Sequence, residues 1–480
     1  MTDASSVSLG GETVKATAAK FTMAIVGFVG TIVFARILGP TAFGGFYLLF
    51  ALVKLGDRAV VGWGVAVKKR YSETGAPKGE LLGSQLAFTV GWVCLSLVAV
   101  VVAAPWLTAY TGLSSAPVLF VVLMAAVALY EPLDSVVQAR GLVGASMWTD
   151  TLRSLLTFPL QLGLVLLGLG AAGMAYGLAA ATVLSVPVLW YFVSTAPVVP
   201  SRETLADLWS YARYSSLNSL LGTAYDRFDV LVLGWLLAPA AAGNYEVAFK
   251  LTLPATFVML AASSGLMARV SHRHSKGEEV SEDVSNTLAF ASIVAFPMSF
   301  GALALADQLV VTVYGPAYAD AATLLVGLEL YQLVRTQSGT LSQVVDGIDR
   351  PEVNTRVAAL TLGVNIVLGI ALTLSYGAIG VVVATVVAET LRYVALARVV
   401  THRLPDVTLL PRTLAEQLAA SVVMFAVVVP ASSALVIDQW SLLLVVVALG
   451  AAVYGVTLAA ISRKLRVTIE GVVRGSRLEL

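Results

Sequence analysis

From Val14 to Ala460 the chain is a succession of mainly apolar stretches of about 20 residues with short polar breaks, and about fourteen of them can be counted. That is the length a helix needs to cross a ~30 Å hydrocarbon core. They run approximately over 14–36, 43–66, 82–104, 116–138, 150–170, 172–193, 210–237, 244–268, 287–306, 319–344, 355–375, 377–398, 414–436 and 440–461. Composition agrees: 58% of residues are hydrophobic and only 12% charged, whereas soluble domains run near 25% charged, and the mean hydropathy is +0.86. A water-soluble fold is excluded, and the expected class is an all-α polytopic membrane protein.

The stretches form an internal duplication. Pro40-Thr41-Ala42-Phe43-Gly44-Gly45-Phe46 and Pro239-Ala240-Ala241-Ala242-Gly243-Asn244-Tyr245, about 199 residues apart, leave one apolar segment and enter the next in the same way. Each is followed, deep in its segment, by a lysine, Lys54 or Lys250. Arg140-Gly141-Leu142 is echoed by Asp346-Gly347-Ile348, and Gly170-Ala171-Ala172-Gly173 by Gly377-Ala378-Ile379-Gly380. Six helices return the chain to its starting side, so the halves are expected to be parallel and related by an axis along the membrane normal, which is transporter architecture. The division expected is an N-terminal lobe over 1–195 (helices 1–6), a cytoplasmic linker at 196–209, a C-terminal lobe over 210–400 (helices 7–12), and helices 13–14 with a cytoplasmic tail over 401–480.

Charge alternates between the breaks. Lysines and arginines gather in every second one: Lys68, Lys69, Arg70 and Lys78; Arg140 and Arg153; Arg202; Arg269, Arg273 and Lys276; Arg350; Arg398, Arg403 and Arg412; and a tail with Arg463, Lys464, Arg466, Arg474 and Arg477. Only Arg36 approaches the other face. The positive-inside rule therefore makes both termini and these loops cytoplasmic and the helix number even. The longest loops, near 194–209, 269–286 and 399–413, are too short to fold into a domain, so the function is expected to lie within a multi-pass cytoplasmic-membrane protein. The opening Met1-Thr2-Asp3-Ala4-Ser5-Ser6 lacks the basic region and small-residue cleavage site of a removable signal peptide. The lone Cys94 lies in an apolar stretch and carries no redox information.

An ionisable side chain at mid-bilayer costs about 2.5–3.5 kcal/mol on insertion scales, so each one needs a partner, a wet cavity or a task. Lys54, Asp57 and Arg58 in the second helix share one face through i, i+3, i+4 spacing. The seventh helix carries Asp226, Arg227 and Asp229, with the arginine turned about 100° from the aspartates. Glu246 and Lys250 form an i, i+4 pair in the eighth, and Glu389 and Arg392 an i, i+3 pair in the twelfth. In the tenth, Glu329, Gln332, Thr336, Gly339 and Gln343 make a polar stripe at helical period with Arg335 at its flank, the pattern of a cavity lining. Two readings stay open for the charges: structural ion pairs that knit the bundle, or a shared central site to which Lys54 and Lys250 contribute.

His272 and His274 read as members of a solvated basic loop, and Glu131-Pro132, Pro159, Pro254 and Pro297 as kinks. There is no P-loop, nucleophile elbow, metal-ligand spacing or external acidic pair, so the expectation is a non-enzyme without cofactor or metal and without nucleic-acid partners.

The duplicated halves with two trailing helices, together with Gly39-Pro40 to Phe46, Tyr225-Asp226-Arg227-Phe228-Asp229-Val230-Leu231-Val232-Leu233-Gly234 running on to Ala242-Gly243-Asn244-Tyr245, and Tyr314-Gly315-Pro316 with Tyr318, resemble the Wzx-type oligosaccharide flippases of the multidrug/oligosaccharidyl-lipid/polysaccharide exporter superfamily. The resemblance implies transfer of a polyprenyl phosphate- or pyrophosphate-linked oligosaccharide from the cytoplasmic to the outer leaflet by alternating access, for surface polysaccharide or glycoprotein glycans. Its partners would be that lipid, membrane lipids and glycan-assembly enzymes. It also implies cavity cations on the first, second and eighth helices, here Lys20, Lys54, Arg58 and Lys250, to which Arg335 is added. This chain departs by placing acids beside several of them. Asp226, Asp229 and Glu389 are candidates to bind a coupling H+ or Na+, or to neutralise Arg227 and Arg392. The alternatives are a cation-coupled multidrug antiporter of the same superfamily, a lipid II flippase, and, less favoured, a membrane glycosyltransferase or polymerase.

Overall fold

A computed structural model describes residues 9–467 except 264, 436 and 438, with side chains described from Met23 onward, Ala24 apart. All regular structure among the described residues is helical: α1 (Leu9–Gly56), α2 (Arg58–Tyr71), α3 (Lys78–Thr111), α4 (Ala116–Ala139), α5 (Val143–Leu164), α6 (Gly170–Val193), α7 (Arg202–Leu236), α8 (Pro239–Ser263), α9 (Leu266–Ser275), α10 (Ser281–Ala291), α11 (Ala295–Tyr314), α12 (Ala321–Gly347), α13 (Pro351–Tyr376), α14 (Ala378–Arg403), α15 (Arg412–Ala434) and α16 (Trp440–Ile461). Lipid dictates this, because a helix satisfies its backbone polar groups within its own segment. Ten helical runs among the described residues are long and apolar enough to cross a membrane. Two of those runs bend into two crossings, one at Gly39-Pro40 inside α1 and one at Gly168 to Gly170 between α5 and α6. With the more polar α7 and α12 they make fourteen helices.

Several helices outlast the apolar stretches that predict them. α2 runs on to Tyr71 through Lys68, Lys69 and Arg70, and α9 carries Arg269, His272, Arg273 and His274. The expected loops shrink accordingly to 194–201, 276–280 and 404–411. Apolar periodicity ends where hydrocarbon ends, but the hydrogen-bond ladder continues into water. The two histidines thus sit on a helix, not in a loop, and Arg269 and Arg273 pair with Asp283 at 3.3 and 2.8 Å. Pro132, Pro159 and Pro254 lie inside helices as expected. Pro297 lies in the first turn of α11, just past the turn at 292–294 that parts it from α10, and the Ile293 carbonyl that its missing N–H leaves open accepts from the Tyr454 hydroxyl at 2.7 Å.

The chain forms two compact units, 1–243 and 244–480. The first takes in α7, beyond the lobe boundary expected at 195, because α7 lies along α2: Ser215 Oγ donates to Gly62 O at 2.6 Å and Ser216 Oγ to Ala59 O at 3.4 Å. Its core joins Trp63 of α2, Leu82 of α3, Leu133 of α4, Leu189 of α6 and Leu208 of α7. In the second unit Val270, Leu288, Leu341 and Leu396 gather α9, α10, α12 and α14, and Leu305, Met424, Val446 and Leu458 gather α11, α15 and α16. Rows of apolar side chains face outward, Val102 at 81% and Leu167 at 78% exposure among them. In a chain of this composition those rows are lipid faces.

The repeated motifs have structural tasks. Gly170 and Gly377 both turn with positive φ, 55° and 67°, at the start of α6 and α14. The Pro40 and Pro239 segments cross backbone to backbone: a Cβ on Gly44 would stand 1.9 Å from Pro239 O, and one on Gly243 2.2 Å from Pro40 O. The third echo is looser, since positive φ falls at Gly141 in the first copy but at Asp349, not Gly347, in the second.

Gly44→Val is therefore expected to destabilise the detergent-purified protein by on the order of 1–3 kcal/mol or more through backbone overlap. Gly91→Ala, where a Cβ meets nothing within 4 Å, is expected to leave the thermal unfolding midpoint unchanged; equal midpoints for both variants would refute the close crossing.

Candidate functional site

The apolar run that follows Pro40 loosens once, at Asp57, between α1 and α2. The backbone ladder continues across it, with Asp57 N to Val53 O at 2.9 Å and Val61 N to Asp57 O at 3.0 Å. Side chains complete the turn. Arg58 Nε donates to Lys54 O at 2.9 Å, and Trp92 Nε1 from α3 donates to Gly56 O at 2.8 Å. Carbonyls of the turn thus receive side-chain donors inside the hydrocarbon layer.

Four charges converge on this turn. Lys54 Nζ lies 3.0 Å from Asp57 Oδ2, and Arg58 Nε 2.6 Å from Asp57 Oδ1. Glu131 of α4 reaches both cations, Lys54 through Oε1 and Arg58 through Oε2, the latter at 3.1 Å. Pro132 follows Glu131 directly and is itself buried. The four side chains are not equally enclosed. Asp57 is fully buried, Arg58 and Lys54 are 13% and 18% exposed, and Glu131 is 28% exposed. Asp57 is thus the enclosed counter-ion, and Glu131 the most exposed member. Sequence spacing brought Lys54, Asp57 and Arg58 together, but Glu131 read only as the neighbour of a kink. Its signal was available: a carboxylate inside an apolar helix needs a cation, and Lys54 and Arg58 were in surplus over Asp57.

Towards the basic end of this unit a second polar chain ties three helices. Lys68 Nζ of α2 donates to Gln138 Oε1 of α4 at 2.7 Å. Gln138 Nε2 in turn contacts Asp134 Oδ2 at 2.8 Å and Ser146 Oγ of α5 at 3.1 Å. On α7, Asp226 is exposed, Asp229 buried, and the Arg227 guanidinium stands 6.0 Å from the Phe50 ring centre.

In the second unit Lys250 pairs with Glu246 of the same helix at 3.2 Å, as their spacing implies. The polar stripe of α12 departs from expectation. Glu329, Gln332 and Thr336 are 2%, 1% and 1% exposed, so they are packed and do not line a wet surface. Gln332 Nε2 donates to Thr252 and Thr256 of α8 at 3.1 and 2.9 Å, Thr336 meets Ser292 at 2.7 Å, and Ser299 Oγ donates to the Glu329 carbonyl at 3.2 Å. Side-chain hydroxyls and amides here hold helices together, a use of polar residues common between membrane helices. Arg335, Gln343 and Lys250 stay partly exposed, and Arg335 donates to the Tyr331 hydroxyl. Glu389 of α14 is fully buried and accepts from Ser338 Oγ of α12. The Lys20 side chain and the tail residues Arg474 and Arg477 lie outside the described residues.

The chain is similar over most of its length to proteins already known. The probable low-salt glycan biosynthesis flippase Agl15 of Haloferax volcanii is 28% identical over 364 residues, 75% of this chain and 76% of that protein. The probable flippase AglR of the same organism is 26% identical over 463 residues, 94% of this chain and 96% of its own length. Among solved structures, the lipid II flippase MurJ in an inward closed conformation superposes with a TM-score of 0.79 over 94% of this chain and 99% of that one, at 15% identity, which establishes a common fold. The profile of the family described as "Polysaccharide biosynthesis protein" matches residues 33–323, more than half of the chain and a span that contains the whole Lys54–Asp57–Arg58–Glu131 cluster. On that match, the chain belongs to the polysaccharide biosynthesis protein family.

Proposed function

We propose that this protein is a flippase that moves a lipid-linked oligosaccharide, joined through phosphate or pyrophosphate, from the cytoplasmic to the outer leaflet of the cell membrane by alternating access. The observation that carries the reading is the cluster at the α1–α2 turn, where two cations share one buried and one partly exposed carboxylate. Membership of a polysaccharide biosynthesis family and the names of the two archaeal relatives support the same reading. No bond is made or broken in such a task, which suits a chain whose charges occur as pairs. The orientation proposed puts the basic loops and both termini on the cytoplasmic side, in line with the positive-inside rule.

The chemistry follows from the unequal burial. A sugar chain loses several kcal/mol for each hydroxyl left unsatisfied in hydrocarbon, so it needs a polar path. The anionic linker needs cations held where attraction exceeds its value in water. Lys54 and Arg58 offer donors for a phosphate, and Arg can hold one through two parallel bonds. While no cargo is bound, Glu131 satisfies them; the incoming phosphate displaces it, and Asp57 keeps the cations in place. Departure of the cargo lets Glu131 return. Lys250, partly exposed beside buried Glu246 in the second unit, is proposed as a cation that transport requires in its own right. The energy source is proposed to be a coupled H+ or Na+, with Asp226, Asp229 and Glu389 as the carboxylates to test.

Deletion of the gene is expected to leave a lipid-linked saccharide on the cytoplasmic leaflet, and the intact gene to restore its export; no accumulation together with altered drug tolerance would overturn the proposal in favour of an antiporter. Arg58→Ala and Lys250→Ala are each expected to abolish export at normal membrane levels of protein, and full export in both would remove the cation site. Glu131→Gln should separate binding from turnover. With the competing carboxylate gone, retention of a polyprenyl pyrophosphate by the purified protein is expected to rise roughly tenfold, the worth of one charge-assisted hydrogen bond, while export slows. Unchanged or weaker retention by a folded Glu131→Gln protein would exclude the exchange.

A further inference from the structure

A second basic site lies in the other unit, at one end of α13 and α14. Arg350, at the N-terminus of α13, and Arg398, His402 and Arg403, in the last turns of α14, line a pocket of about 320 Å³ with Val353 and Val399. Arg398 and His402 are one helical turn apart and share a face, and Val399 and Arg403 repeat the spacing on the next. Arg350 pairs with exposed Glu352 at 3.4 Å. Arg398, His402 and Arg403 form no ion pair among the described residues, although Asp349 and Asp406 lie on the adjoining loops. Three exposed basic side chains that form no ion pair among the described residues meet Arg350 at the start of α13, where Glu352 of the first turn offsets only Arg350, and together they make a cradle for an anion.

Val353 and Val399 give the pocket an apolar part of its lining, and its two helices continue as lipid-facing surface. Leu360 and Val367 on α13 and Val387, Leu391 and Val394 on α14 are exposed along the same pair. A head group seated among the arginines would have its acyl chains against these rows. We infer that this pocket binds a phosphate group, and that its source is the head group of an anionic membrane lipid held beside the α13–α14 pair, at a site separate from the proposed transport cluster. Basic pockets between membrane helices near the polar boundary hold anionic head groups in this manner.

The test is native mass spectrometry of the full-length protein in detergent, titrated in parallel with phosphatidylglycerol, phosphatidylcholine and inorganic phosphate. Saturable retention of phosphatidylglycerol is expected, with little phosphatidylcholine. The double variant Arg398→Gln/Arg403→Gln is expected to weaken it about fivefold per arginine, the usual worth of one basic residue at an anionic surface. The charge-matched control Arg202→Gln/Lys276→Gln changes two exposed cations elsewhere and is expected to bind as the unaltered protein does. Equal weakening in variant and control, or none in the variant, overturns the proposal. Retention of inorganic phosphate that competes with the lipid supports the phosphate site; saturation by inorganic phosphate with no retention of phosphatidylglycerol overturns the lipid source. Should the double variant fail to fold, photoactivatable phosphatidylglycerol on the unaltered protein is expected to label Val353 or Val399, and labelling confined to other helices would refute the site.

Discussion

Hydrocarbon offers a peptide group nothing to bond with, and the architecture follows from that poverty. Helices close their own ladders, so the apolar runs become helices whatever their detailed sequence. Where the regular helix is interrupted at Asp57, side chains reinforce the backbone: Arg58 bonds the Lys54 carbonyl, and Trp92 bonds that of Gly56. Arg58 has then been drawn into the membrane and needs an anion. Asp57 answers at 2.6 Å, and Glu131 of a neighbouring helix completes the set. One local break in regular structure thus brings the charged cluster with it.

The polar groups at the α1–α2 turn and those along α12 are used differently. The first set gathers full charges around a turn, with one acid sealed and the other partly open. The second spends hydroxyls and amides, as in the Ser292–Thr336 contact and the bonds from Gln332 to Thr252 and Thr256. Neutral hydrogen bonds of this kind contribute about 0.6 kcal/mol each on average between membrane helices, so they set register more than they set stability. A buried ion pair is a poor source of net stability, because desolvation offsets attraction. The first arrangement therefore makes sense as a site, and the second as a fastening.

Much of this was legible in the residues. Span length and the alternation of basic breaks mark fourteen helices and an even topology, because both are averages over many side chains. Glycine motifs mark the Pro40 and Pro239 segments, because a backbone crossing tolerates no Cβ. Pairing within one helix was legible as well, since spacing alone places Lys54 beside Asp57 and Glu246 beside Lys250. What stayed hidden depends on neighbours brought in from elsewhere. Glu131 lies 77 positions from Lys54 in the chain, and no periodicity reports that distance. The α12 stripe shows the converse: helical period says which residues share a face, but not whether water or another helix meets it. Helix ends were misjudged for a third reason, since lysine and arginine close an apolar run without closing the hydrogen-bond ladder.

The composition of the α1–α2 turn bears on how that turn responds to membrane potential. Each elementary charge moved across the whole membrane responds to a 100 mV potential with about 2.3 kcal/mol. Lys54 and Arg58 balance Asp57 and Glu131, so the four together carry no net charge. However far that set shifts during a cycle, the electric field does almost no work on it. Any response of transport to membrane potential would then reside in charges outside this set, the anionic cargo among them.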